Sequence, residues 1–561
     1  MTDLHAHSDG NNSQSDLEKH DSPPPVTKAQ DGTKVALYGA EVASQESLAR
    51  KEGVSAAFLA KCKVLNTAMS EIGMGRYQWY LFLSAGFGWF SDNIWLQGIA
   101  IIMPQVAVET GWVDYPNVRM ATFALYCGLI VGATFFGMSA DIVGRRLAWN
   151  ATLFIGAIFG ICAGAAPNYV VFCTFIALTG FGVGGNLPVD GALYLEFIPN
   201  SHNWTLTLLS VWWAVGQVVA SLICWAFIAK YSCDSARAKA DAAAGVLDPY
   251  TCDWSTNAGW RYSYFTLGGL MLFLSVLRMF VFPMHESPKF LASMGRDQDA
   301  VDVIHAVAMY NGKTSSLTAE DLRRAARPYL EGQEKDVTTK FSTMELVKNS
   351  FSEFSGEHIK GLFATKRLAW STTLICVIYG ALGIAYPLFN GFLTGYLQAK
   401  NASFGDTSID ATYGGYTYQA ACGVIGSILA CGLVQWRRGG RKFAMAFFTV
   451  GAGCFLFGLT AARNSRTINA LTCMAALFEN AFYGIVYSYA PETFPTPHRG
   501  TGDALASATS RVTGLFAPII AVYSSAAKTP DGPVFASASI FVATGVLMMF
   551  LPVETRGRDA L

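Results

Sequence analysis

Long apolar stretches, separated by short polar loops, occupy most of the chain from about residue 76 onward. Each stretch is close to the roughly 20 residues that a helix needs to cross a hydrocarbon core about 30 Å thick. Helices are favoured over open sheets because every backbone polar group must be paired inside lipid. The pattern therefore predicts an all-α membrane protein with twelve spans, near 79–107, 118–140, 147–166, 169–193, 205–229, 261–283, 368–396, 412–435, 443–462, 467–490, 502–524 and 533–552.

The longest polar stretches divide these spans into two groups of six. We expect five segments: a cytoplasmic N-terminal tail at 1–75, a six-helix half at 76–283, a cytoplasmic linker at 284–367, a second six-helix half at 368–552 and a short cytoplasmic tail at 553–561. Residues 1–45 are polar, contain Ser-Pro-Pro-Pro-Val and are predicted to be disordered. Residues 46–75 are predicted to form a short amphipathic helix, and no cleavable signal peptide is recognised.

The composition supports a membrane protein and argues against several functions. Of 561 residues, 52% are hydrophobic and 14% are charged, whereas soluble domains carry about 25% charged residues. The formal net charge is +0, which gives no indication of a nucleic-acid partner. Neither a nucleophile–base pair, nor metal-ligand spacing, nor a nucleotide-binding loop is found, so we expect no enzyme activity, no metal, no cofactor and no ATP drive.

Lysine and arginine are unevenly divided between the two sets of loops, and this predicts the orientation. The loops after the second, sixth, eighth and tenth spans are the basic ones, with Arg145, Arg146, Arg437, Arg438, Arg441, Lys442 and Arg499 among their cations. The opposite loops hold scattered cations such as Arg119, Arg237, Lys239, Lys400 and Arg463. Because basic loops remain on the inside, both termini are expected in the cytoplasm. The plasma membrane is the expected location, because no retention signal is evident in the sequence. The protein is expected to be a monomer.

Two modifications are predicted on the non-cytoplasmic side. Cys233 and Cys252 fall in the polar loop between the fifth and sixth spans, where either a disulfide or two free thiols are chemically permitted. Asn401-Ala-Ser403 is an N-glycosylation sequence on the same side, so a glycoprotein is expected. Asn203-Trp-Thr205 is predicted to face the cytoplasm and to remain unmodified.

Two polar motifs recur in the second half at nearly one distance. Gly137 and Gly432, 295 residues apart, each follow the second span of their half. Glu196 and Glu492, 296 residues apart, each follow the fourth span. Repeated halves place a binding site near the bilayer midplane between them and permit alternating access by rocking.

Three motifs together resemble the major facilitator superfamily, and most closely its sugar-transporter-like clan. They are Gly-x-x-x-Asp-x-x-Gly-Arg-Arg at 137–146, Glu-Ser-Pro-Lys-Phe-Leu at 286–291 and Pro-Glu-Thr-Phe-Pro-Thr-Pro-His-Arg-Gly-Thr at 491–501. Residues 71–79 and 88–92 are similar to the branch of synaptic-vesicle-related proteins and bacterial nicotinate permeases. The resemblance covers about 70–555 and implies a twelve-helix major-facilitator bundle of two six-helix halves.

The resemblance also implies a set of gating residues on the cytoplasmic side. In the outward-open state, Asp141, Arg145 and Arg146 would hold the loop with Gly137 and Gly144 against helix ends. Their implied charged partners are Glu196, Glu492 and Arg499. An ion-pair cluster that forms in one state and breaks in the other biases a two-state equilibrium. The alternative is that these charges only set the topology.

Three departures from the family pattern limit what the resemblance implies. Trp436 stands where the second loop would carry Asp, so the halves are not expected to gate identically. The fourth span lacks the arginine that many proton-coupled members carry before the glycine run. The seventh span lacks the glutamine and tyrosine pairs of sugar porters and has Tyr386 and Asn390 instead, which argues against a hexose substrate.

Ionisable residues inside spans are costly and are therefore functional candidates. Asp92 lies in the middle of the first span beside Asn93, with Trp89 and Trp95 near its face. It could carry a proton between the two sides, or it could serve as a structural hydrogen-bond partner. Asp190, in a bend of the fourth span with Asn186 and Pro188, is predicted to act as a gate or cap rather than as a second proton site.

The second half supplies another acid and a cation. Glu479 and Asn480 lie in the tenth span, and Arg511 lies in the eleventh. A guanidinium that lines a cavity is suited to clamp a carboxylate ligand. Alternatively, Arg511 pairs with Glu479 and only neutralises it, or the two arrangements alternate.

Together these features predict a secondary active transporter of a small organic solute, such as an organic acid, acting as a proton symporter. Competing hypotheses are an exporter of a secondary metabolite, a sugar or polyol transporter, and a non-transporting membrane sensor on the same fold. The expected partners are the solute, protons and the lipid bilayer.

Overall fold

The computed structural model describes residues 56–113, 117–143, 145–199, 202, 204–244, 246, 250–282, 284–330, 362–363, 365–405, 408–434, 440–494, 499–526 and 531–554. Gly144, Asn203, Trp436, Arg437 and Arg438 lie outside these ranges, as do the predicted disordered tail and most of the second part of the linker. For Asp141, Pro188 and Arg499 the backbone is described but the side chain is not.

Twelve spans cross the bundle, three of them broken into two helical segments. In chain order they are Arg76–Val106, Met120–Val143, Arg145–Gly164, Tyr169–Gly184 with Asn186–Phe197, Ser210–Tyr231, Gly259–Phe280, Lys366–Phe389 with Leu393–Ser403, Ile409–Val434, Gly440–Thr460, Ser465–Thr493, Arg499–Gly514 with Phe516–Ala526, and Gly532–Met549. We number them spans 1 to 12. The predicted all-α bundle of two six-helix halves is confirmed.

Span 1 differs from the others in its composition. Eleven helices among the described residues are long and apolar enough to cross a membrane by length and composition, and span 1 is the twelfth helix that completes the bundle. Its middle carries Asp92, Asn93 and Gln97, each at most 2% exposed. These polar side chains lower its hydropathy, and their burial shows that they face protein rather than lipid.

The broken spans have a common cause. Span 4 breaks at Gly185, span 7 breaks at the short 3₁₀ segment Asn390–Phe392, and span 11 breaks at Leu515. Each break lies within a few residues of a proline, which lacks an amide donor and cannot complete the helical hydrogen bonding. The break in span 4 lies in the region where a bend is predicted, whereas the breaks in spans 7 and 11 were not predicted.

Glycines allow close contact between spans 2 and 4. A Cβ atom on Gly128 would overlap the carbonyl oxygen of Ala177, and one on Gly132 would overlap that of Phe181. Small residues of this kind let two membrane helices approach until their backbones touch. The first half is therefore tightly packed around span 4, which carries Asp190.

Replacement of Gly132 by valine is expected to push spans 2 and 4 apart. We expect a loss of stability of about 1–3 kcal/mol, the usual cost of overpacking, seen as a lower apparent Tm of the purified protein. Gly269→Val in span 6 is the matched control, because Gly269 is exposed and a Cβ atom there meets nothing within 4 Å. Equal apparent Tm values for the two variants would contradict this packing argument.

Two ends of the bundle can be told apart. At the disulfide end, Cys233 and Cys252 are bonded with their Cα atoms 5.6 Å apart. The backbone amide of Thr110, after span 1, donates to the carbonyl oxygen of Cys252 at 2.7 Å, and the amide of Cys252 donates to the hydroxyl of Thr110 at 3.1 Å. At the other end, which we call the basic end, lie Arg145 and Arg441 at the starts of spans 3 and 9.

The basic end also holds four short helices, Ala56–Ile72, Pro288–Ser293, Asp297–Tyr310 and Ala319–Leu330. The first lies within the predicted amphipathic segment 46–75. It is fixed to the linker helices by the ion pair of Lys61 with Asp297 at 2.7 Å. Asn311 joins the linker to the start of span 1, because its side chain accepts from the amide of Tyr77 and donates to Gln78, both at 2.9 Å.

The surroundings of Asn401 are unfavourable for the predicted glycan. Asn401 lies near the end of the second segment of span 7 and is 1% exposed. A buried side chain in a helix has no room for a bulky sugar chain, and sequence alone did not reveal this burial.

Candidate substrate and proton site

A cavity of about 60 Å³ lies between the two halves, and Asp92 and Arg511 both line it. We call it the central cavity. This volume holds a few water molecules, since one needs about 10–15 Å³, whereas pockets for larger ligands measure roughly 300–1,000 Å³. Both halves contribute its other walls, which are mainly apolar and aromatic: Leu96, Tyr126, Leu129, Leu187, Trp213, Leu382, Gly383, Tyr386, Pro387, Tyr483, Tyr487 and Ser510.

Arg511 reaches from span 11 across the cavity to the first half. Its Nη1 donates to the carbonyl oxygens of Leu129 at 2.9 Å and Gly184 at 2.7 Å. It also interacts electrostatically with Asp92. The side chain is 8% exposed, so its charge is balanced mainly by these protein groups.

Asp92 is held in place by its surroundings more than by direct hydrogen bonds. The carboxylate is 2% exposed, and its Oδ1 has no hydrogen-bond partner among the described residues. The neighbouring Asn93 fixes span 1 to span 5 by donating to the carbonyl oxygen of Trp213 at 2.7 Å. Trp89, one turn earlier, packs edge-to-face on Tyr487 of span 10. Asp92 is therefore a buried carboxylate with an unused oxygen at the edge of a small cavity.

The structure contradicts the hypothesis that Glu479 pairs with Arg511. Glu479 accepts a hydrogen bond of 2.6 Å from the side chain of Asn390, which in turn accepts one of 3.1 Å from Gln419. Arg511 faces Asp92 instead. Span 11 carries its guanidinium toward the first half, whereas Glu479 faces span 7 within the second half.

Asn480 and Tyr386 prove to have different surroundings. Asn480 donates to the carbonyl oxygen of Ala476 in its own helix and packs against Gly423, so it does not line the central cavity. Tyr386 lines the cavity, and its hydroxyl accepts from Gln97 of span 1 at 2.7 Å. The Tyr416 hydroxyl donates to the side-chain oxygen Oε1 of the same Gln97.

Gln97 is thus a polar link between the halves that the sequence analysis missed. The available signal was its position four residues after Asn93, which places both on one face of span 1.

Further contacts join the halves toward the disulfide end. Arg119 donates to the carbonyl oxygen of Ala521, and the Trp225 ring nitrogen donates to Asp410 at 2.8 Å. Toward the basic end, Ser427 approaches the carbonyl oxygen of Ser210 at 3.5 Å.

Asp190 does not line the central cavity but forms a buried ion pair with Arg278 of span 6. Arg278 was missed as a site residue, although it is an ionisable residue inside a predicted span and meets the criterion applied to Asp92. Asn186, one turn before Asp190, approaches the carbonyl oxygen of Gly88 at 3.5 Å. The bend in span 4 therefore places its polar residues against span 1.

The charges at the basic end form the same arrangement in each half. Arg145 pairs with Glu196 in the first half, and Arg441 pairs with Glu492 in the second. In each half a further glutamate accepts from the first backbone amides of a helix, a position that favours a carboxylate. Glu286 accepts from Arg145 at 3.0 Å and Arg146 at 3.3 Å, and Glu554 accepts from Arg441 at 2.8 Å and Lys442 at 3.3 Å.

This arrangement corrects the expected partner of Glu492. It pairs within its own half and not with the loop of the first half. Arg441 follows Arg145 by 296 residues, the same distance that separates the two glutamates. Glu554 was missed, although it follows span 12 as Glu286 follows span 6. Asp141 lies in the last turn of span 2, and Arg499 begins span 11.

Substitution of Glu492 by glutamine is expected to slow transport roughly tenfold, which corresponds to about 1.4 kcal/mol. The change leaves the Arg441 guanidinium, only 9% exposed, without its anionic partner. Initial uptake rates per folded molecule would measure the effect. Glu196→Gln is the matched variant in the first half and should slow transport to a similar extent. An effect confined to one half would contradict functional equivalence of the two pairs.

Comparisons with known proteins identify the family. The model of the sugar (and other) transporter family matches residues 93–560. The chain belongs to this family of major facilitator transporters. A relative named MFS siderochrome iron transporter 1, from Ceriporiopsis subvermispora, is 42% identical over 90% of this chain and 92% of its own. The major facilitator-type transporter hxnZ of Emericella nidulans is 40% identical over 90% of this chain and 89% of its own.

More distant relatives agree with the family and with the fold. The synaptic vesicle 2-related protein of Rattus norvegicus is 24% identical over 88% of this chain and 82% of its own. The solved structure of the proton:xylose symporter XylE bound to 6-bromo-6-deoxy-D-glucose matches with a TM-score of 0.62 at 16% identity, covering 86% of this chain and 98% of that one. This family member is thus a multi-pass membrane transporter with the XylE fold.

Proposed function

We propose that this transporter moves a small organic anion together with a proton by alternating access. The observation that carries the proposal is that Asp92 from the first half and Arg511 from the second line one small cavity, close enough to interact electrostatically. The two charges come from halves that move relative to each other in a rocking mechanism. The strength of their electrostatic interaction therefore depends on the relative position of the two halves, and it can stabilise one state of the transporter over the other.

The chemistry follows from charge balance. In the present structure the positive charge of Arg511 partly compensates the negative charge of Asp92 across the central cavity. A carboxylate ligand that binds the Arg511 guanidinium removes this compensation from Asp92, and an unpaired buried charge is costly. A proton on Asp92 restores neutrality, so anion and proton bind together. After the halves rock, release of the anion returns Arg511 to Asp92, which then loses its proton.

Glu479 supplies a second buried acid near the cavity. Its Oε1 has no hydrogen-bond partner among the described residues, and its other oxygen accepts from neutral Asn390. Because Asn390 lies where span 7 breaks, Glu479 is placed to sense movement of that span. We assign it a role in the proton pathway with Asn390, whereas Arg511 holds the anion.

The positive charges at the basic end support an orientation with that end in the cytoplasm. Both termini would then be cytoplasmic, and the disulfide would face the opposite compartment, where oxidising conditions favour it. The plasma membrane and a monomeric state remain part of this proposal.

The names of the relatives do not agree on one cargo. One relative carries siderochrome iron in its name, whereas a protein of Arabidopsis thaliana, 24% identical over 88% of this chain, is named organic cation/carnitine transporter 7. The small volume of the central cavity and the position of Arg511 favour a small anion.

The test is uptake of labelled monocarboxylates, dicarboxylates, polyols and hexoses by cells that express the protein, with and without a protonophore. We expect uptake of a carboxylate that the protonophore abolishes. Carboxylate uptake that the protonophore leaves unchanged would refute proton coupling. Uptake restricted to hexoses or polyols would refute the anion assignment, and absence of all transport would favour a membrane sensor.

A further inference from the structure

The first half contains a second ion pair that the transport chemistry above does not use. Arg278 of span 6 donates to Asp190 of span 4, and neither side chain is exposed. The guanidinium carbon of Arg278 lies 3.4 Å from the centre of the Trp149 ring of span 3, in a cation–π contact. Three spans of one half therefore fix this arginine beside one carboxylate.

This ion pair lies next to the proposed proton acceptor. A Cβ atom on Gly88 of span 1 would overlap Oδ2 of Asp190, so this carboxylate rests directly on the backbone of span 1. Asp92 follows Gly88 by four residues and lies on the same face of the helix. The two carboxylates interact electrostatically. Two neighbouring acids do not ionise independently, since the charge of one disfavours that of the other.

The groups that face the two acids differ in one decisive respect. Asp92 faces Arg511, Tyr487 and Tyr126 as well as Trp213 and Asp190. Arg511 and Tyr487 belong to the second half, so rocking changes the surroundings of Asp92. Asp190 faces Arg278 and Asp92, all within the first half. A rigid half keeps the pair of Asp190 with Arg278 intact, whereas rocking of the halves changes the distance between Arg511 and Asp92.

We propose that Arg278 is a positioning residue that keeps Asp190 ionised throughout the transport cycle. The fixed negative charge of Asp190 then leaves Asp92 as the acid of the first half that accepts and releases the proton. The proposal rests on proton coupling as the proposed function. In this proposal Asp190 remains the anionic partner of Arg278 in every state of the transporter. It acts neither as a second proton site nor as a gate.

The experiment is infrared difference spectroscopy of the purified protein in lipid during a pH titration, with no ligand added. Protonated carboxylic acids give a C=O stretching band that ionised ones lack. Glu479→Gln serves as the background for every sample, because Glu479 is also buried. We expect one titrating buried band in this background, lost in Asp92→Asn and retained in Asp190→Asn.

Arg278→Met should add a second titrating band, and Asp190→Asn in that variant should remove it. Arg278→Lys restores a cation and should return the spectrum to a single band. The double variant Arg278→Met/Asp190→Asn also controls for folding, because removal of both partners of a buried ion pair is tolerated better than removal of one.

Two results would overturn the proposal: loss of the original band in Asp190→Asn, or an unchanged spectrum in a folded Arg278→Met protein. If Arg278→Met does not fold, the Asp190→Asn comparison alone decides. Failure of the proposed function is recognised separately. In that case uptake resists the protonophore, whatever the infrared band reports.

Discussion

Replacement of Arg511 by methionine is expected to lower carboxylate uptake by about 30-fold to 4,000-fold. The methionine fills similar space but removes the donors that would hold the anion, and it removes the cation that shares the central cavity with Asp92. Loss of one member of a desolvated charge pair costs roughly 2–5 kcal/mol, which corresponds to that range. Initial uptake rates, normalised to folded protein at the membrane, would measure the change.

Two further variants make this result specific. Arg511→Lys keeps the charge but loses the planar guanidinium fork, so we expect an intermediate loss of roughly tenfold, mainly in KM. Arg463→Met is the matched control, because Arg463 is exposed at the end of the loop between spans 9 and 10 and should leave uptake unchanged. Full activity of Arg511→Met would remove the arginine from the substrate site.

Replacement of Asp92 by asparagine is expected to separate exchange from accumulation. Asparagine has nearly the same shape but cannot carry a proton, so the cavity would keep one fixed protonation state. A proton gradient of one pH unit supports about tenfold accumulation by a one-to-one symporter, and Asp92→Asn should reduce this to simple equilibration. Exchange of labelled for unlabelled carboxylate across proteoliposomes should continue, because exchange needs no net proton movement.

Asp302→Asn provides the control for this second prediction. Asp302 is an exposed carboxylate on a linker helix, and its loss should leave both accumulation and exchange intact. Continued accumulation by Asp92→Asn would exclude Asp92 as the coupling residue. Glu479, a buried acid of the second half, would then be the next candidate.

The two proposals assign different tasks to the buried charges of the first half. The environment of Asp92 changes when the halves rock, because the nearby cation, Arg511, belongs to the other half. Asp190 has a constant environment because Arg278 and Trp149 belong to its own half. A transporter that rocks two rigid halves can use this difference to decide which acid titrates.

The hydropathy pattern was sufficient to predict the class and the number of spans, whereas the repeat was predicted from polar motifs that recur 295 and 296 residues apart. The class and the number of spans depend on sums over about 20 consecutive residues, and the membrane enforces them on each segment separately. The same reasoning selected Asp92, Glu479 and Arg511, because an ionisable residue inside a span is conspicuous without any structure. Their positions within spans 1, 10 and 11 agree with the sequence analysis.

Pairing between distant residues could not be predicted in this way. The sequence left Arg511 free to pair with Glu479, and the resemblance assigned Glu492 to the loop of the first half. In the structure Arg511 faces Asp92, 419 residues earlier in the chain, and Glu492 pairs with Arg441 in its own half. A rotation of one helix by a fraction of a turn would change each of these partners.

By itself the sequence determined that this chain crosses the membrane as two repeated six-helix halves and that Asp92, Glu479 and Arg511 lie within spans. Only the tertiary structure decided that Asp92 shares a cavity with Arg511, that Asp190 is paired with Arg278 and that Asn401 is buried. The physical reason is that insertion of a segment into lipid depends on the amino-acid composition of that segment alone. The partner of a buried charge depends on how several helices are rotated and packed, and no local pattern contains that information.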